Sequence, residues 1–190
     1  MSAASMRKRL LSIFPRKRRF RRNEDGSTAV EFALVIIPFL GCLFAIIEIG
    51  LVFLAGQVLE TSVADASRLI LTGQAQAGSF DADRFKQQIC TTSVQALFTC
   101  TNIKVDVRTA NSFAAGDFST PVNSSKVLDT SGFTYSPGQQ CDVVIVRVAY
   151  EWPTFVRGLG LDLATLANGK HLLMSTMAFR NEPYSGTGFC

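Results

Sequence analysis

What this chain has least of is histidine, and the paired spacings that bind metals are missing. A single histidine, His171, serves 190 residues, and no C-x-x-C occurs among the five cysteines. Zinc needs three or four such ligands at one point, so no metal site is expected. No G-x-S-x-G is present either, which removes the nucleophile elbow of the α/β-hydrolases. His171, Ser175 and a nearby acid are the remaining triad candidate. A lone histidine at a strand start is more often structural, so neither catalysis nor a cofactor is expected.

Polar side chains are missing altogether from residues 32–47. After Glu48 the apolar character resumes to Gly56, giving a run of 25 residues over 32–56. A helix needs about 20 to cross the hydrocarbon of a bilayer, so this stretch is long enough to span. A secretory signal would carry an apolar core of only about 7–15 residues before a small-x-small cleavage site. Here the run overshoots that length, and Leu54, Ala55 and Gly56 make a poor site.

The formal charge of +4 averages two unlike parts. Residues 1–26 hold nine of the 19 basic and two of the 15 acidic residues, which leaves ten against 13, or −3, for 27–190. Positive residues flanking a span stay on the cytoplasmic side, which sends residues 57–190 out of the cytoplasm. The basic arm therefore has a membrane explanation, and no nucleic-acid partner is expected. Three segments follow: a basic leader over 1–26, a transmembrane helix over 27–56, and an extracytoplasmic domain over 57–190.

Two acids mark the apolar run. Glu31 stands at its mouth beside Phe32, where an acid costs little. Glu48 lies 16 residues beyond Phe32, about 24 Å along a helix. An acid at that depth either faces a partner or cavity, or reaches back to the outer interface. Pro38 lacks a backbone donor, which membrane helices tolerate with a kink.

Beyond Gly56, Leu59, Val63, Ala66 and Ile70 continue the face of Val52 while Glu60, Thr61, Asp65, Arg68 and Thr72 fill the other. One helix over 27–72 is predicted, stopped by Gly73. Ser79 or Asp81 caps a second helix that buries Phe85 and Ile89, then Val94, Leu97 and Phe98. Ile103, Val105 and Val107 alternate with Lys104, Asp106 and Arg108, predicting a strand with one wet face. Residues 109–140 read as a long, flexible loop with a short hairpin. Residues 141–152 form the clearest strand, apolar on both faces and hence central, ended by Pro153. Residues 154–169, broken by Gly158, Gly160 and Gly169, read as a short helix or crossover, and 171–179 as a last strand. The fold class is α+β: a long amino-terminal membrane-spanning helix continuing into a domain with a small antiparallel sheet.

Cys42 sits in the span as a small packing residue. Cys90, Cys100, Cys141 and Cys190 fall in the exported part, where disulfides form. Three pairings are open, and spacing alone does not choose. Antiparallel pairing of the last two strands would bring Cys141 near Cys190 and leave Cys90 for Cys100.

Gly26, four residues, Glu31 and Phe32, then a long apolar helix: this pattern resembles a class III signal peptide, read by prepilin peptidases. The likeness is closer still to the TadE-like family, minor pilins or pseudopilins of the tight-adherence (Flp-type) pilus. It rests on Gly26, on Glu31, Phe32, Ala33, Leu34 and Val35, and on Pro38, Glu48 and Gly50. Tyr150, Trp152 and Pro153, and residues 180–184, also resemble that family, whereas 77–140 do not.

The resemblance implies a pilin-like domain and cleavage between Gly26 and Ser27 by a membrane acid protease. It implies that Glu31 neutralises the new amine on a neighbouring subunit, an attraction strong where water is scarce. Expected partners are the inner membrane, the prepilin peptidase, other pilus subunits and the tight-adherence assembly platform with its ATPase. The expected place is the bacterial inner membrane, single-pass, with the amino terminus cytoplasmic and the domain periplasmic, then the pilus after assembly, with a role in adhesion. Two alternatives stand beside it. A pseudopilin of type II secretion or a type IV pilin shares the signal but usually has Phe or Met where Ser27 stands. A signal-anchored binding or sensing domain would need no cleavage.

Overall fold

The computed structural model describes residues 25–156, 162–184 and 190. Most of the leader expected over 1–26, and Gly158 and Gly160 of the crossover expected over 154–169, lie outside the described residues. Helix α1 runs Asp25–Leu71, within two residues of the predicted start and one of the predicted end. The chain divides into two units, Met1–Phe44 and Ala45–Cys190.

In the first unit, described from Asp25, α1 is apolar and bare. Val30, Phe32, Leu34, Val35, Ile37, Phe39, Leu40, Leu43 and Phe44 are all exposed. The helix continues through Pro38, whose missing N–H deprives the carbonyl of Leu34 of its helical donor. Cys42 is a free, exposed thiol on this bare stretch.

In the second unit the same helix gains a buried stripe. Ala55, Leu59, Val63, Ala66 and Ile70 are each at most 3% exposed, at the spacing of one helical face. Gly73 ends the helix with φ 77°, a left-handed conformation that favours glycine. The short helix α2 (Gln74–Ala77) follows. Helix α3 (Ala82–Ile89) is capped by Asp81, whose side chain accepts from the N–H of Arg84 at 2.7 Å, and it buries Phe85 and Ile89. Ser79 is not the cap; it sits at φ 48° in the turn before. Helix α4 (Thr92–Gln95) buries Val94.

Strands β1 (Lys104–Ala110), β2 (Val143–Pro153) and β3 (Lys170–Arg180) form an antiparallel sheet in the order β1-β2-β3, with β2 central as its two apolar faces require. The even face of β2, Val144 to Trp152, packs with the α1 stripe, Phe85, Ile89, Phe98, Ile103, Val107 and Leu173 into one core. Phe98 meets Tyr150 and Trp152 edge-on at 4.8 and 5.5 Å between ring centroids.

The odd face of β2 is not wet. Val143, Ile145, Arg147 and Ala149 are all buried, and so is Asp106 on β1, at 0% exposed. This corrects the solvated face expected of β1 at Asp106, whereas Lys104 on the same face is exposed as expected. Residues 111–136 cover it, including a hairpin closed by the bridge Val122↔Leu128 and a parallel bridge Val107↔Tyr135. That segment is therefore fastened down rather than a loose connection. Residues 162–169 carry no helix and turn through Gly169 at φ 74° into β3.

Candidate functional site: an acid-marked apolar helix

Gly26, Ser27, Glu31 and Phe32 lie on the first turns of α1 and are all exposed. One turn separates Ser27 from Glu31, so the serine hydroxyl reaches the Glu31 carboxylate at 3.2 Å. Among the described residues a Cβ added at Gly26 would meet nothing within 4 Å, so packing against them gives no reason for a glycine there. The first turn of any helix has N–H groups without intrahelical acceptors and opens most easily, which leaves the Gly26–Ser27 bond accessible.

Glu48 behaves differently. Its carboxylate is 5% exposed. Oε1 accepts the backbone N–H of Phe155 at 2.6 Å, and Oε2 accepts that of Val156 at 2.9 Å. Sequence reasoning left this acid between a protein partner or cavity and the outer interface. Here the carboxylate meets the backbone of its own chain, in the segment after β2. Each such charge-assisted bond contributes roughly 1.5–3 kcal/mol. Thr154 completes the turn by donating from Oγ1 to the carbonyl of Gly169 at 2.7 Å.

The other end of the domain is clasped by the residues after β3. The N–H of Glu182 donates to the carbonyl of Leu71 at 2.9 Å, occupying an orphan acceptor at the end of α1. The ring of Tyr184 lies where a Cβ of Gly73 would stand, so position 73 needs glycine for space as well as for its φ. Asn181, 1% exposed, donates from Nδ2 to the carbonyls of Pro137 and Gln139 at 2.9 and 2.8 Å. Disulfides join Cys141 to Cys190 and Cys90 to Cys100, with Cα separations of 5.3 and 6.0 Å.

The two ends match in length. From Glu48 to Leu71 the helix rises about 35 Å, and β2 advances about 33 Å from Val143 to Pro153. One latch therefore closes each end of a sheet laid along the helix.

A polar cleft of about 310 Å³ is lined by Arg108, Asp117, Ser119, Asn123, Asp129 and Arg147 among others. Arg147 donates from Nε and Nη2 to Asp106 at 2.9 and 2.7 Å, and from Nη1 to Asp117 and the carbonyl of Ser119 at 3.2 and 3.1 Å. Arg108 places Nη2 2.9 Å from the Asp106 carboxylate. The Ser119 hydroxyl and N–H hold Asp117 below the usual carboxylate range, with Arg147 and Arg108 adding to the effect. Arg147 and Arg108 meet Asp106 and Asp117, so the cluster fastens residues 111–136 to the sheet. Sequence reasoning missed it; the signal was Arg147, a cation inside the most apolar strand.

His171 and Ser175 are not brought together. His171 Nδ1 sits 2.6 Å from the carbonyl of Leu163, and Ser175 lies four residues further along β3. That is about 13 Å, too far for proton exchange. Among the described residues no three His, Cys, Asp or Glu converge to hold a metal ion.

Helix α1 is long and apolar enough to cross a membrane. Comparison with family models adds that residues 26–68 match the family described as TadE-like protein. The match begins at the glycine and runs almost the length of α1, including Glu31, Pro38, Glu48 and Gly50, the helical positions on which the resemblance was drawn. No curated protein and no solved structure matches the chain.

Proposed function

We propose that this chain is a minor pilin or pseudopilin of a tight-adherence pilus, anchored in the bacterial inner membrane by α1 and trimmed by a prepilin peptidase between Gly26 and Ser27. One observation carries the reading: a glycine that no described side chain packs against, five residues before an exposed acid, opens an apolar helix whose large side chains from Val30 to Phe44 are mostly exposed. The TadE-like match over 26–68 supports this reading.

The bare helix sets the energetics. Fifteen large apolar side chains between Val30 and Leu54 are exposed. At about half burial each would contribute about 1 kcal/mol, so together they forfeit roughly 15 kcal/mol in water. A whole domain is stable by about 5–15 kcal/mol. The segment belongs in lipid before assembly and among sister helices after it. In a packed fibre core, Glu31 would meet the amine that cleavage frees on a neighbour, while the domain with its two disulfides faces outward. The peptidase, other pilus subunits and the assembly platform are the partners this role requires, and adhesion is the outcome it serves.

The test is co-expression with and without a prepilin peptidase, followed by intact mass of the product. The expected product begins at Ser27, and Gly26→Ala abolishes the trimming. A product that keeps residues 1–26 in both cases would instead support a signal-anchored domain that never enters a fibre.

A further inference from the structure

Among the described residues, the most exposed large apolar side chain in the molecule is on the domain. Phe155 is 77% exposed, more than any large apolar side chain of α1, and it comes just after the exposed Pro153. Other exposed aromatics of the domain are less bare: Phe118 at 51%, Phe113 at 48% and Tyr184 at 41%. Tyr184 also belongs to the far end, beside Gly73.

Phe155 sits elsewhere. Its N–H is bonded to Glu48, on a helix whose flanking side chains Ile46, Ile47, Ile49 and Leu51 are themselves exposed. With the hydrocarbon entered at Phe32, a thickness of about 30 Å takes about 20 residues and ends near Leu51. Glu48 and the turn bonded to it therefore lie at the far edge of the apolar layer. Water is scarce there, and a turn's free N–H groups have to be satisfied by the protein. Glu48 supplies acceptors for the N–H groups of Phe155 and Val156, and the two N–H groups in turn answer the buried carboxylate.

We infer that the turn at 153–156 is a membrane foot. Phe155 enters the outer edge of the same bilayer that α1 crosses, its partner being lipid acyl chains, and Glu48 is the positioning residue that holds the turn there. The domain then has two attachments to the membrane, and extraction of the subunit into a fibre must withdraw both. This inference rests on α1 being a membrane span, so its test is built to separate the two.

The full chain with Cys42→Ala, its disulfides intact, is reconstituted in phosphatidylethanolamine–phosphatidylglycerol vesicles. Single nitroxide labels are placed at Ile46→Cys, Phe155→Cys or Phe118→Cys. Collision with molecular oxygen is then compared with collision with a water-soluble nickel chelate. The expected result is an oxygen-favoured ratio at 46 and 155 and a nickel-favoured ratio at 118. Nickel access at 46 overturns the span itself. Oxygen access at 46 with nickel access at 155 overturns the foot alone, and so does protection of 155 from both reagents, which would mean protein covers it. In a second arm Glu48→Ala is expected to move the label at 155 to the nickel-favoured side. Glu48→Gln, which keeps one acceptor oxygen, is expected to hold it. An unchanged ratio at 155 in Glu48→Ala would overturn the role given to Glu48.

Discussion

Residues 26–44 and residues 45–70 belong to one helix and are equally rich in apolar side chains, yet they are treated in opposite ways. In the second stretch a stripe from Ala55 through Leu59, Val63 and Ala66 to Ile70 is buried with the sheet and α3 in one core. In the first, most of the large apolar side chains are exposed, from Leu40 at 38% to Ile37 at 71%. Composition does not explain the contrast, because both are helices of Leu, Ile, Val, Phe and Ala. What separates them is whether the chain supplies its own cover. Where it does, polar residues such as Glu60, Asp65 and Arg68 return to the uncovered side. Where it does not, every side stays apolar, and the cover has to come from outside the chain.

The largest effect that would sharpen this contrast is expected at the back of the sheet. Arg147→Ala leaves Asp106, 0% exposed, without its closest cation. Breaking a buried pair by removing one partner costs about 3–5 kcal/mol. Chemical denaturation in detergent should show that loss in full for the Ala45–Cys190 unit. A loss under about 1 kcal/mol, the range of a surface pair, would mean that the cluster is solvated and that residues 111–136 are not held as described.

Next in size is Leu59→Ala, which empties a site that is 1% exposed at the middle of the stripe. A loss of about 3 kcal/mol is expected from the lost transfer energy and the cavity together, read as a lower denaturation midpoint with an unchanged slope. If the midpoint did not move, the stripe would not be the surface on which the sheet rests.

These two positions also show what the sequence could tell. Leu59 was legible because a helical period repeats within a few residues and needs no knowledge of the rest. The same holds for Gly73, for the central strand β2 and for its antiparallel neighbour β3. Asp106 was misread as solvent-facing because alternation within β1 says which residues share a face and nothing of what lies over it. Its partner Arg147 stands 41 positions later. Glu48 was left undecided for the same reason: the N–H groups it accepts are 107 and 108 positions away. An acceptor for a backbone N–H also leaves no trace in residue type, since any residue but proline provides one.

A smaller effect is expected with pH. Asp117 in the folded protein titrates below its ordinary value, chiefly through Ser119. A group whose folded pKa is depressed contributes stability above its unfolded pKa, and this is lost as the pH falls through the folded one. The window therefore opens near pH 4, the ordinary aspartate range, and extends downward. Asp117 is 47% exposed at its side chain, so screening keeps the effect modest. Melting temperature followed from pH 5 to pH 2 should fall less steeply in Asp117→Asn than in the parent. Equal slopes would remove Asp117 from the fastening of the 111–136 segment.

The smallest expected effect decides the comparison. Ile37→Ala removes a side chain of the same size class as Leu59, from the same helix, but from the bare stretch. If residues 26–44 owe nothing to the rest of the chain, the denaturation midpoint of the Ala45–Cys190 unit in detergent should stay within about 0.5 kcal/mol of the parent, as for a surface substitution. The truncation should be felt only where an outside partner covers the helix, as weaker retention in bilayers or poorer incorporation into fibres. A midpoint shifted as far as that of Leu59→Ala would mean that Ile37 is buried by its own chain, and the argument for lipid or sister subunits as its cover would fail with it.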